Sequence, residues 1–402
     1  MKSYNKVLLS LSAFSSVRMI TGAISVIYMF TSGLGLDSIA YVKTLQALVT
    51  LCLSLSVAKF MDKFNRKTIY ITAMTSSATW IFILFLGGYF TQTLYFYIAE
   101  VFNAIALVIY NSIYNAYLLD EYCKVEKNKN FEHILGEYNN LSFLGMAIFA
   151  GVGSFAYEYL NKYIFLISSI LMLILIFHGL ISLPVQHSRF NKKDHPQKKS
   201  YRKDYETKLI IRKFLQLSPF IIPLTLVSIY YQLLIQYWQV LASTIPIVND
   251  KPYILGVIFI ISLFLQSLAG RIMKYLNIRA LPYSFIFIII GLVCLYCSLQ
   301  FLNIYYMVAG LSLLFFNIRL NIILANAKSH KNLTIQIRAR FDSYLYTTTI
   351  ILTGLFLLPS GYLIQWQGIA ILIYLGLIIT TIAFASLMLI SNIYFKRNIG
   401  SY

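Results

Sequence analysis

Residues 58–67 read Ala-Lys-Phe-Met-Asp-Lys-Phe-Asn-Arg-Lys, and residues 270–279 read Gly-Arg-Ile-Met-Lys-Tyr-Leu-Asn-Ile-Arg. The stretches lie 212 residues apart, and the second is a worn copy of the first. Each is a short basic loop between long apolar runs. Outward from them, runs of about 17–25 residues recur, the length of a helix that crosses bilayer hydrocarbon. There are twelve, at 7–30, 38–60, 68–89, 93–117, 137–159, 163–184, 214–240, 253–273, 281–302, 304–326, 342–364 and 367–394. They are continuous rather than alternating every second residue, which predicts helices and not a barrel. The expected fold is an all-α membrane protein of twelve transmembrane helices. The copied loop follows run 2 and run 8. That predicts two six-helix halves, 1–184 and 214–402, related by an axis along the membrane normal and joined by a linker, 185–213.

Composition agrees. Of 402 residues, 59% are hydrophobic and 12% charged, against about 45–50% and about 25% in soluble proteins. An ordinary cytosolic enzyme, a disordered chain and a secreted disulfide scaffold are excluded. Lys and Arg number 33 against 14 Asp and Glu, a formal net charge of +19. With the N-terminus in the cytoplasm and the chain alternating, 28 of the 33 cations fall on inside loops. Only Lys162 and Lys251 fall outside, and Arg18, Lys43 and Arg319 lie within spans. This is a positive-inside signal. It predicts a multi-pass protein of the bacterial inner (plasma) membrane with both termini cytoplasmic. The basic charge is then topogenic, and no nucleic-acid partner is expected. The linker, with His187 and His195, reads as a solvated tether, or as a segment drawn to anionic lipid. The first run leads straight into the span series without a cleavage-type flank, so no cleaved signal is expected.

The loop after run 2 and the span pattern resemble the major facilitator superfamily over the whole chain. The family pattern there is Gly-x-x-x-Asp-Arg/Lys-x-Gly-Arg/Lys-Arg/Lys. This chain keeps Asp62, Lys63, Arg66 and Lys67, with Ala58 and Asn65 at the glycine positions. Asn tolerates a left-handed turn, so the turn is expected to survive. The resemblance implies that Asp62, Lys63, Arg66 and Lys67 gate the cytoplasmic side. It also implies that Asp62 faces the start of span 11, near Arg340–Ser343, where a carboxylate suits a helix N-terminus. Proton-driven exporters of the family carry a Gly/Pro pattern in span 5. Gly136, Gly145 and Gly153 match its spacing, but Phe149 and Ala150 replace its Gly-Pro core and Ser154 replaces a Gly. Ordinary small-residue packing gives the same partial match. The start of the chain, with Arg18, also resembles bacterial exporters of siderophores, macrolides or peptide antibiotics.

Charges within spans are costly and tend to be functional. Glu100 is the carboxylate set well inside a span, and it begins a span-4 stripe with Asn103, Asn111 and Asn115 on one face. Glu100 reads as a proton carrier, or as a static partner of Arg18 or Lys43. Arg18 lies midway along span 1 and suits an anionic substrate group, because its planar fork matches carboxylate or phosphate. The alternative is an internal ion pair. Lys43 is expected to snorkel to the outer headgroups, with a central role as the alternative, and Arg319 to pair with Asp342. Span 7 carries Thr225, Ser228, Gln232, Gln236 and Gln239, flanked by Tyr230, Tyr231, Tyr237 and Trp238. Amides with aromatics suit a sizeable amphipathic solute; interhelical hydrogen bonding is the other reading. Gly354, Pro359 and Gly361 predict a bend in span 11. Cys294 and Cys297 have redox spacing but lie in span 9, where packing is expected. The tyrosines and phenylalanines are expected mainly at lipid or at interfaces.

The sequence therefore predicts a secondary transporter, not an enzyme, with no catalytic residue, metal or cofactor. The expected activity is proton-coupled efflux, as an antiporter, of a small amphipathic compound such as a siderophore or peptide-like antibiotic. Glu100 couples the proton, and Arg18, Asn103, Asn111, Gln232, Gln236 and Tyr230 bind substrate. The expected partners are the small molecule, the proton and membrane lipid, with the chain acting as a monomer. Symport import of a sugar, nucleoside or peptide fragment is the alternative. A non-transporting receptor or scaffold is the alternative of another class.

Overall fold

The computed structural model describes residues 2–61, 64–122, 131–184, 221–223, 225–251, 253–272, 281–331 and 335–399. The first part holds α1 (Lys2–Gly22), α2 (Ser25–Thr31), α3 (Leu36–Met61), α4 (Arg66–Phe90), α5 (Thr93–Tyr122), α6 (Phe131–Leu160) and α7 (Tyr163–Ser182). The rest holds α8 (Ile221–Ser243), a short α9 (Pro246–Asp250), α10 (Tyr253–Ile272), α11 (Leu281–Phe301), α12 (Ile304–Lys331), α13 (Ile335–Gln367) and α14 (Ile371–Ile399). Among the described residues, ten helical segments are long and apolar enough to cross a membrane, the first spanning Ser3–Thr31. Two more apolar segments, Tyr253–Ala269 and Ile371–Leu387, are shorter. α7 shows why such helices suit lipid. Ile167, Ile170, Leu173, Ile174, Phe177 and Ile181 are all exposed on it, an apolar face that water would penalise.

The described residues fall into two compact units. One comprises those of 1–189, 236–267 and 354–369; the other comprises those of 190–235, 268–353 and 370–402. In the first, α1 packs on α6 and α7, α4 on α5 and α7, and α3 on α5. In the second, α11 packs on α12 and α14. Gly153 lets α1 and α6 meet backbone to backbone. A Cβ at that position would lie 1.9 Å from the Ile20 carbonyl oxygen. Gly145 similarly faces the Ser16 hydroxyl. Gly145 and Gly153, two of the glycines that echo an exporter pattern, thus serve close helix approach, the small-residue packing mode. α13 is helical through Pro359, and its Gly361 abuts Ala40 of α3.

Turns at one end of the first unit use left-handed residues. Thr91 (φ 53°) closes α4, with its N–H and that of Gln92 both donating to the Gly87 carbonyl. Asn161 (φ 47°), Gly33 (φ 96°) and Gly368 (φ 84°) turn the chain in the same way. Such caps satisfy carbonyls left open at a helix end. Asn65 behaves differently from the sequence expectation. Its φ is −73°, not left-handed, and its side chain accepts the Thr68 N–H at 2.8 Å as the N-cap of α4. The polar side chain, rather than tolerance of a left-handed turn, is what the position uses. Asn65→Ala is expected to cost about 1 kcal/mol and Asn65→Asp almost nothing, as read from thermal unfolding in detergent.

Candidate functional site

The middle of the first unit holds a buried polar network contributed by four helices. Glu100 of α5 is fully buried, and Lys43 of α3 donates to its Oε1 at 2.8 Å. Asn103, one turn along α5, donates to Glu100 Oε2 at 2.7 Å. The same Asn103 presents Oδ1 to Arg18 of α1, whose second guanidinium nitrogen donates there at 2.6 Å. The first donates to Ser77 Oγ of α4 at 2.7 Å. Arg18 also lies over the Trp80 ring, 4.7 Å from its centroid, and 5.6 Å from that of Phe14. A guanidinium over an indole is a favourable cation–π placement.

This geometry settles the pairing of Glu100. Its ion-pair partner is Lys43, and Asn103 relays the contact to Arg18. The expectation that Lys43 snorkels to headgroups is overturned, since Lys43 is buried and its charge is satisfied inside the bundle. The network itself has two cations and one carboxylate. Arg18 spends its hydrogen bonds on neutral oxygens, leaving a surplus positive charge shielded from water. Such a group favours an anion brought to it.

The other predicted positions are placed as follows. Asn111 lies further along α5, about 12 Å from Asn103 by helical rise, and is exposed. The side chain of Asn115 lies outside the described residues. Gln232 and Gln236 are half-buried on α8. Tyr230 is fully buried, its ring pressed on Gly376 of α14, and its hydroxyl has no hydrogen-bond partner among the described residues. Arg66 and Lys67 open α4, and Lys67 Nζ donates to the Leu180 carbonyl in the last turn of α7 at 2.6 Å, where a cation meets the negative end of the helix. Asp62, Lys63 and the linker 185–213 lie outside the described residues, as do the side chains of Arg338, Arg340 and Asp342. Among the described residues no group of three or more His, Cys, Asp or Glu is disposed to hold a metal ion.

Three features go beyond the sequence reading. Tyr70, Tyr110 and Tyr138 are buried, not lipid-facing. Tyr110 hydrogen-bonds Tyr138, Ser15 Oγ at 2.9 Å and the Leu11 carbonyl at 3.0 Å, while Tyr70 donates to the Ser10 carbonyl at 2.8 Å. Glu121 is fully buried and accepts from Ser3 Oγ. It lies past the apolar run 93–117, but α5 continues to Tyr122. Its helical spacing from Glu100, Asn103, Tyr110 and Tyr117 was the available signal. The third is Gln239, 1% exposed on α8. Its amide oxygen accepts the N–H groups of Val26 and Ile27, each at 3.1 Å, and its nitrogen donates to the Gly22 carbonyl at 3.0 Å.

An all-helical bundle with membrane-length spans, lipid-type apolar faces and a desolvated ion network is a multi-pass membrane protein of the transporter type. The profile of the Major Facilitator Superfamily matches residues 7–330, and the chain belongs to that family. The chain is similar in fold to a mutant form of the nucleoside transporter NupG (TM-score 0.69, 17% identity, 95% of this chain and 98% of that one). It is also similar to a bacterial homologue of the human lysosomal transporter Spinster in an inward-facing, occupied conformation (TM-score 0.73, 12% identity, 98% of both chains). No curated protein sequence matches the chain.

Proposed function

We propose that this chain is a proton-coupled exporter of a small amphipathic compound that carries an anionic group, such as a siderophore or peptide-like antibiotic. The carrying observation is the buried Lys43–Glu100–Asn103–Arg18 network with its excess cation. In this state Lys43 and Asn103 both donate to the Glu100 carboxylate. A proton added to Glu100 removes the attraction to Lys43 and frees Asn103. Arg18 then meets the substrate anion with its fork, and the Trp80 face holds an adjacent planar or apolar group. Asn111 and Gln236 add further substrate contacts in this reading. The reading takes all twelve apolar segments as spans, halves 1–184 and 214–402 rocking about the site, both termini cytoplasmic in a bacterial inner membrane, and a monomer. The loop of Asp62, Lys63, Arg66 and Lys67 gates the cytoplasmic side.

The test is uptake into inverted vesicles under an imposed proton gradient, with labelled carboxylate siderophore, a short acidic peptide and uridine as the panel. The siderophore or peptide is expected to accumulate with the gradient, and Glu100→Gln to lower that accumulation at least tenfold. Accumulation that ignores both the gradient and Glu100→Gln removes the coupling claim. The fold likeness to NupG favours a second reading, import of a nucleoside. Gradient-driven uridine uptake confined to right-side-out vesicles would establish it instead.

A further inference from the structure

The first span, Ser3–Thr31, is broken about two thirds of the way along. α1 ends at Gly22, and α2 starts at Ser25 with no side-chain cap of its own. A break inside a membrane span leaves backbone groups that water cannot reach, so another part of the protein must satisfy them. Gln239 of α8 does this with one amide. Its oxygen takes two N–H groups of α2, and its nitrogen feeds the last carbonyl of α1. Just beyond this clasp a cleft of about 610 Å³ opens, lined by Ile27, Tyr28 and Thr31 of α2 and by Ser243, one turn past Gln239. The clasp therefore lies between that cleft and the Arg18 network, which sits one turn before Gly22 on α1.

We propose that Gln239 is the latch of a gate at this end of the bundle: its three hydrogen bonds hold α8 on the α1–α2 break, and opening toward the cleft requires that they part. An amide is suited to the task. It supplies a donor and an acceptor together, as a break requires, and carries no charge that would resist separation in apolar surroundings. The latch also fixes the turn of backbone that carries Arg18, since the break holds Gly22 while Thr21 Oγ1 bonds back to the Arg18 carbonyl at 3.2 Å. The proposal rests on the alternating-access reading above, but its test does not require the substrate.

A reporter cysteine replaces Ser25, which is 8% exposed at the start of α2, in a chain whose Cys52, Cys123, Cys294 and Cys297 are changed to Ala. Reconstituted vesicles are treated with a membrane-impermeant maleimide from the cleft side, with and without an imposed proton gradient. With Gln239 intact, labelling is expected to be slow and to change with the gradient. Gln239→Met fills the same volume without the hydrogen bonds and is expected to raise labelling about tenfold, as is Gln239→Ala, on the scale set by a few interhelical hydrogen bonds in a membrane. A rise in the Ala variant alone shows that packing closes this end and overturns the latch. Unchanged labelling in both variants, with gradient-dependent labelling in the parent, also overturns the latch and leaves alternating access standing. Labelling that never responds to gradient or variant counts against the alternating-access reading itself.

Discussion

Lys43→Met alone is expected to destabilise the protein by about 3–5 kcal/mol, and Lys43→Met with Glu100→Gln to recover most of that loss. The reason is desolvation. Glu100 is fully buried and Lys43 6% exposed, with 2.8 Å between their charged atoms. Removing the cation leaves a fully buried carboxyl group without its charge partner. Removing both charges leaves a neutral amide at position 100, still able to hydrogen-bond Asn103, and a methionine that fills the lysine's space. Thermal unfolding of the four proteins in detergent completes the double-mutant cycle. Equal losses in the single and the double variant would show that the pair contributes nothing beyond packing.

Gly153→Leu is expected to have the other large effect. A Cβ there would sit 1.9 Å from the Ile20 carbonyl oxygen, and neither partner is a flexible side chain that can turn aside. The α1–α6 seam must open, which costs at least about 3 kcal/mol by overpacking and also shifts the backbone just before the Gly22 break. Detergent-solubilised Gly153→Leu is expected to be aggregated on size exclusion. Gly145→Ala, which meets the Ser16 side chain rather than backbone, serves as the milder control. A monodisperse Gly153→Leu with unchanged melting would refute the close approach.

The spans were legible because a membrane helix writes its burial as a continuous apolar run, and no partner helix is needed to recognise it. Arg18, Lys43 and Glu100 were legible as costly exceptions within those runs. Their pairing was not, because it depends on the relative heights of α1, α3 and α5, which no spacing along a single helix encodes. Lys43 was assigned to the headgroups for that reason. Judged alone it sits near a helix end, and only the facing Glu100 explains its burial. Gln239 was visible as part of a polar stripe, yet its task depends on a break in a helix more than 200 residues earlier. Asn65 shows the opposite case. A local rule for caps was available there, but the comparison with a glycine position drew the reading toward backbone freedom instead.

Arg18 lies against one of only three tryptophans in the chain. The other two have different surroundings. Trp238 is stacked on Phe259 and Trp366 is 83% exposed. An indole's emission depends on the charge beside its ring, so Trp80 is an intrinsic optical probe of where that guanidinium stands. The protein thus carries its own lamp at the site where substrate and proton are proposed to exchange, and a change there can be followed in light without attaching a dye.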